Sequence, residues 1–246
     1  MSDLILEKQP KSPISEAYRT IRTNIDFSSI DKEIRTILVT SSGPAEGKTT
    51  TASNIAMAYA QAGKKTLLID CDLRKPRIHK IFKISNRIGF TNMMADDMKL
   101  SEAAFVFSDT LQVLTAGIIP PNPSEILSSN KMKTFLQAAS MVYERIIIDS
   151  PPINAVTDAQ ILGSVADGTV LVVSSDITNI EGAVRAKELL LKVKANILGV
   201  ILRRVNVSRG KYGYGSYYYY YYAEDGEKKR RKKKNDRRPL SHSSQD

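Results

Sequence analysis

Apolar residues along this chain gather in short runs, not in long stripes. Residues 36–40 (TILVT), 66–70 (TLLID), 111–115 (LQVLT), 145–149 (RIIID), 169–174 (TVLVVS) and 197–202 (ILGVIL) are rich in Ile, Val and Leu. None alternates with polar residues, as strands buried on both faces of a parallel sheet need not. Helical patterns lie between them. Residues 48–62 end at Gly63, a C-cap residue. Residues 124–141 open at Ser124 as N-cap, with Glu125 in the first turn. Amphipathic stretches at 15–27 and 179–194 complete the set. This alternation predicts an α/β fold, a doubly wound, mostly parallel sheet flanked by helices.

After Asn206 the pattern stops. KYGYGSYYYYYY and then KKRRKKK follow, which predicts a flexible tail over 206–246, disordered when free. The expected organisation is an N-terminal segment at 1–34, a folded domain at 35–205 and that tail. The chain has 246 residues and a formal net charge of +10. Residues 223–246 hold 9 Lys/Arg against 5 Asp/Glu, so a disproportionate share of the charge lies in the tail. Such a run is a solvated tail or attracts an anionic surface. No apolar run approaches the roughly 18–20 residues that span a bilayer. The N-terminus lacks a signal-peptide pattern. Cys71 is the only cysteine, so no internal disulfide can form and a cytoplasmic setting is expected. His79 and His242 stand alone, which argues against a zinc site.

The candidate chemistry begins at 41–50, SSGPAEGKTT, between a strand and a helix. A loop there aims backbone N–H groups and the positive helix end at one point. Gly43 and Gly47 let the backbone curl close to an anion. Lys48 can reach terminal phosphates, the Thr49 hydroxyl can ligate Mg²⁺, and Glu46 and Thr50 complete the loop's candidates for ATP contact. The first glycine of the common phosphate-loop pattern is replaced by Ser42. Acids stand at two other strand ends. Asp149 closes RIIID, where a carboxylate faces the crevice of an open α/β sheet. Asp70 and Asp72 close TLLIDCD; residues two apart on a strand point the same way. Both pair members are candidate metal contacts, and either is a candidate base for a hydroxyl substrate. Either could instead cap the next turn. Cys71 between them reads as a small buried hydrophobe. Arg74, Arg77 and Asp158 carry no assignment, since a surface arginine or a helix cap explains them equally well.

SSGPAEGKTT, LLIDCDLRKP and IIIDSPP, in this order and with a terminal tyrosine cluster, resemble the bacterial tyrosine kinases of capsule and exopolysaccharide systems. The resemblance covers roughly 12–222. It implies a P-loop NTPase fold of the deviant-Walker group. It also implies Mg-ATP held by Lys48, Thr49, Asp70, Asp72 and Asp149, with an aspartate of the pair as base. Its implied partners are a membrane-embedded modulator of polysaccharide chain length whose cytoplasmic tail activates the kinase, protein tyrosine substrates and a cognate phosphotyrosine phosphatase. That modulator would recruit the chain to the inner face of the membrane. The resemblance further implies a homo-oligomer, with rings in which one subunit's tail enters its neighbour's site. Glu16, Arg19 and Arg22 match the family's E-x-x-R-x-x-R ring-contact motif. Nucleic acid is not among the expected partners. One position departs from the pattern: GVIL is followed by Arg203, where the family often carries an asparagine that helps hold adenine.

Eight of the eleven tyrosines fall in 212–222: Tyr212, Tyr214, Tyr217, Tyr218, Tyr219, Tyr220, Tyr221 and Tyr222. Six in a row fit neither helix nor strand periodicity, and Gly213 and Gly215 loosen the chain. A tethered segment has a high effective concentration at a nearby site, so these are candidate autophosphorylation sites. The competing reading is a switch ATPase of the chromosome-partitioning or division-site type, acting on DNA or membrane. Its signature KGGxGKT requires a lysine where this chain has Gly43, followed by Pro44.

Overall fold

The computed structural model describes residues 4–28, 33–96 and 98–205. Residues 206–246, with the tyrosine cluster and the basic run, lie outside the described residues. The strands are β1 (Thr36–Ser41), β2 (Thr66–Asp70), β3 (Phe105–Ser108), β4 (Leu111–Leu114), β5 (Arg145–Asp149), β6 (Gly168–Ser174) and β7 (Ile197–Arg203). They form one sheet in the order β3-β4-β2-β5-β1-β6-β7. All pairings are parallel except β3 with β4. The six apolar runs are thus strands of the expected mostly parallel sheet. Strand β3 is an addition. Its four residues are largely exposed and form an antiparallel edge, a position where packing imposes no apolar pattern.

The missing alternation has a direct cause. Ile37 and Val39 of β1, Leu68 of β2 and Ile147 of β5 enter the core on one face. Leu38, Leu67, Ile69, Ile146 and Ile148 enter the core on the other. These central strands are buried on both sides, so both sets of side chains are apolar; β7, at the sheet edge, is partly exposed although its run is equally apolar.

The helices are α1 (Ile5–Lys8), α2 (Pro13–Phe27), α3 (Lys48–Gln61), α4 (Ile78–Phe82), α5 (Phe90–Asp96), α6 (Leu100–Ala103), α7 (Pro123–Ser128), α8 (Asn130–Ser140), α9 (Asp158–Gly163) and α10 (Ile180–Lys192). The single helix expected at 124–141 is two. Ser129 is extended (ψ 153°), and its hydroxyl accepts from the Met132 N–H, which makes it the N-cap of α8. Helix α7 starts at Pro123, in the first-turn position where a missing N–H is harmless. Helix α2 likewise starts at a proline, two residues before the expected start, with Ser12 accepting from the Ser15 N–H.

Helix α3 follows β1 and is buried almost all round. Its sequence, KTTTASNIAMAYAQ, keeps side chains small, so other elements approach closely. Leu4, Leu6, Tyr18 and Ile25 from the N-terminal helices share a core with Ile55 and Tyr59 of α3. The N-terminal residues therefore pack onto the sheet domain. Asn54 accepts from the Ile5 N–H at 2.9 Å. The buried Tyr59 hydroxyl donates to Asp26 of α2 at 2.9 Å. Arg145, at the start of β5, also donates to Asp26 at 3.0 Å and lies over the Tyr59 ring.

Tyr59→Phe removes the hydroxyl and leaves Asp26 its arginine. Stability should fall by about 1 kcal/mol, the net worth of one such hydrogen bond. A lower urea midpoint and faster amide exchange in α2 than in β5 are the expected readings. If neither changes, the hydroxyl does not hold α2 in place.

Candidate nucleotide-binding site

Strand β1 lies at the centre of the sheet, between β5 and β6. The loop after it, 42–47, feeds directly into α3. Gly47 precedes the helix in the left-handed region (φ 87°), and Ala45 is also left-handed (φ 63°). A Cβ at Gly47 would overlap the Arg203 guanidinium as well as strain the backbone, so only glycine fits. The loop is braced by Glu46, whose buried carboxylate turns back on it. Ser42 donates to that carboxylate through its N–H at 2.9 Å and its hydroxyl at 2.6 Å. Thr178, beyond β6, adds a third bond at 2.6 Å. This explains the serine at 42: its hydroxyl is part of the brace. Glu46 therefore acts on the loop's shape. Gly43 lies beside the same carboxylate. Thr50 sits in the first turn of α3, and its carbonyl accepts from Asn54.

Lys48 opens α3 and is nearly buried. Its Nζ donates to Asp72 Oδ2 at 2.7 Å and lies 3.4 Å from both Asp149 oxygens. Burial alone would push its pKa down, but Asp149 and Asp72 outweigh that and hold the ammonium charged. Thr49 hydrogen-bonds Asp149. The structure thus brings Lys48, Thr49, Asp72 and Asp149 together.

Asp70 is fully buried and differently engaged. Its Oδ2 accepts from the Arg77 and Ile78 N–H groups, each at 3.0 Å, at the start of α4. Its Oδ1 accepts from the Asp72 N–H at 3.2 Å. The contact with Lys48 belongs to Asp72, and Asp70 fixes the turn that presents Asp72. Burial, with Asp149 nearby, raises Asp70 to about 7. Burial raises Asp149 to about 6, although Lys48 and Thr49 pull it down. Cys71 is buried in the core, and burial pushes its thiol well up, so it is a packing residue. Arg74 is held by both oxygens of Asp158, at 2.9 and 3.1 Å, and contacts the Ser124 hydroxyl. Ser124 also donates to Asp158, which accounts for both residues without a phosphate.

Three buried carboxylates face one buried ammonium here, an excess of negative charge that suits a divalent cation. Among the described residues, no three His, Cys, Asp or Glu side chains form a ready cage. Mg²⁺ takes one or two carboxylates plus phosphate oxygens and keeps several waters, so Thr49, Asp72 and Asp149 are the residues that could hold it here. In helix α2, Glu16 and Arg19 form an ion pair with each other. Arg22 donates to the Ala58 carbonyl of α3 at 3.2 Å, so it is a contact within the chain. One participant was not found from sequence: Thr178, as a brace. Arg203 stood out as a departure from the family pattern, but its reach from β7 to the loop did not. Arg203 ends β7 and Thr178 follows β6, at the strand ends where ligand crevices of such sheets form; no local motif marks either contact.

The raised carboxylates have a definite effect on stability. Asp70 and Asp149 bind protons more tightly folded than unfolded, where a carboxylate titrates near roughly 4. Their stabilising share is full below that pH and lost as pH rises through about 6 and about 7. Nucleotide-free, metal-free protein should lose up to about 1.4 kcal/mol per pH unit per group across that window. Urea titrations at several pH values measure this, and Asp149→Asn should flatten the slope. An equal slope in that variant would mean Asp149 is already ionised.

Comparison with known proteins agrees with this geometry. The family model described as ParA, NUBPL iron-transfer P-loop NTPase, matches residues 33–237. The tyrosine-protein kinase YwqD of Bacillus subtilis is 48% identical over 214 residues, covering 86% of this chain and 90% of that protein. The crystal structure of the chimerical protein CapA2B2 superposes with a TM-score of 0.80 at 42% identity, covering 83% of this chain and 91% of that one. The kinase domain of the Escherichia coli tyrosine kinase ETK gives 0.77 at 30% identity, covering 86% and 84%. With a braced phosphate loop, a buried lysine and acids at the ends of the flanking strands, the chain belongs to the bacterial tyrosine-protein kinases, a family built on the P-loop NTPase fold.

Proposed function

We propose that this chain is a Mg-ATP-dependent protein-tyrosine kinase that phosphorylates its own C-terminal tyrosines, between subunits of a homo-oligomer. The observation that carries the reading is the bond from Lys48 to Asp72 beside Asp149. It supports the reading because a cation suited to phosphate, a candidate base and a carboxylate suited to a metal then meet beside one loop. Mg-ATP, when bound, supplies the transferable phosphoryl group and neutralises part of its charge. Lys48 and the N–H groups opening α3 bind phosphate oxygens. Thr49 and Asp149 would hold the metal side, and Asp72 would add a further carboxylate there. Asp72 also accepts the phenolic proton as the tyrosine oxygen bonds to the γ-phosphorus and the bond to the bridging oxygen breaks. Asp70 keeps Asp72 in place.

The acceptors are Tyr212, Tyr214 and Tyr217 to Tyr222. They start seven residues beyond Val205, and a tether that short keeps local concentration high. The resemblance to capsule and exopolysaccharide kinases supports further partners: a membrane-embedded chain-length modulator as activator, outside tyrosine substrates and a phosphotyrosine phosphatase. Glu16 and Arg19, on the partly exposed side of α2, are the ring contacts this reading favours, with Arg22 supporting the helix from behind. Among the described residues no helix is long and apolar enough to cross a membrane. Location at the inner face of the membrane would therefore come through the modulator, and the basic run at 228–234 would add to it.

The partitioning-type reading is supported by the fold that the ParA match denotes. Nucleotide-dependent DNA or liposome binding that survives loss of every tail tyrosine, without phosphotransfer, would favour it.

Mass spectrometry of the full chain after Mg-ATP treatment, with an activating partner segment present, tests the kinase reading. Phosphotyrosine within 212–222 is expected, and Lys48→Met should lower it at least a hundredfold, the scale of losing one main charge-stabilising contact. An activated preparation that gains no phosphotyrosine would end the proposal.

A further inference from the structure

Arg203 ends β7, two strands away from β1 across the sheet. Its Nη1 nonetheless donates to the carbonyl of Gly47 at 3.0 Å and lies 3.5 Å from that of Glu46. The guanidinium rests against the bare Cα face of Gly47. This is an unusual place for a cation. The first turn of the fourteen-residue helix α3 carries a partial positive charge, and Lys48 is the next residue. Among the described residues Arg203 forms no ion pair, and its Nε and Nη2 donors make no hydrogen bond. Glu46 is engaged by Ser42 and Thr178, and Asp176 by Arg204 and Ser174. A guanidinium at the positive end of a helix, with donors in reserve, suits an anion that arrives from outside.

The strand order says which part of the anion. Lys48 reaches toward the acids of β5 and β2 on one side of β1. Arg203 comes from β6 and β7 on the other. A nucleotide with its terminal phosphate and metal at the acids has its nucleoside end on the Arg203 side. We propose that Arg203 is a nucleotide-binding residue that contacts the α-phosphate through its remaining donors while Nη1 keeps hold of the loop. This rests on the reading of the site as one for Mg-ATP. It gives Arg203 a task different from that of an adenine-holding asparagine, because phosphate contacts do not distinguish bases.

The test is isothermal titration of the full chain, Mg²⁺ present, with ATP, ADP and CTP, for wild type, Arg203→Ala and Arg203→Lys. Losing a charge-assisted contact should weaken binding by roughly tenfold to a hundredfold. Because the α-phosphate is common to all three ligands, Arg203→Ala should lose the same factor for each, with a melting temperature lowered by only about 2–4 °C, the scale of one lost hydrogen bond. Arg203→Lys, which keeps the charge without the fork, should recover part of it. It also carries the test if the alanine variant does not fold. Unchanged affinity overturns the proposal. So does a loss confined to ATP, which would place the contact at the terminal phosphate, or one that spares CTP, which would place it on the base. Wild type that binds none of the three would remove the Mg-ATP reading and this inference together; wild type that binds beside an unaffected Arg203→Ala removes the inference alone.

Discussion

Lys48 carries a full positive charge where water barely reaches, and it is stable there because Asp72 and Asp149 lie within its reach. Much of the fold serves that one arrangement. The lysine must open a helix, so β1 has to deliver the chain through a loop with a left-handed glycine into α3. The acids must come from β5, beside β1, and from just past β2, the next strand over, which requires the central order β2-β5-β1. Those strand ends must be dry enough for the attraction to matter, which requires apolar cover on both sheet faces. Buried charge is tolerated only when paired, and here one cation faces more negative charge than it can neutralise. The surplus is what a metal–phosphate ligand would satisfy.

The parts differed in how readable they were. The central strands announce themselves because burial on both faces removes polar residues, as in RIIID and TVLVVS. The phosphate loop announces itself because glycine is required at fixed positions. Strand β3 does not, because an exposed edge imposes no pattern. The break at Ser129 was hidden because serine serves equally well inside a polar helix face and as a cap, and only the extended backbone decides. Asp70 and Asp72 are indistinguishable by spacing. Three-dimensional packing separates them: the chain turns back after Asp72, so the N–H groups of Arg77 and Ile78 fall on Asp70. Contacts across long stretches of sequence, such as Glu46 with Thr178 or Gly47 with Arg203, leave no local trace.

Fold and site make separate contributions to identity. The parallel sheet and phosphate loop are common property of P-loop NTPases, so they speak for nucleotide and little else. The kinase assignment comes from the close relatives, and the proposed acceptor comes from the tyrosine tract. The site's geometry connects the two, since Asp72 is tied to the same ammonium group that would meet the phosphates.

Thr178 joins the loop after β6 to Glu46 in the phosphate loop. Asn154, in the loop after β5, donates to the Gly182 carbonyl at the start of α10, a few residues beyond Thr178. Three segments around the crevice are therefore tied together by side-chain hydrogen bonds. A substitution that shifts the segment beyond β6 would therefore be felt at Glu46, far away in sequence, and through it in the shape of the phosphate loop.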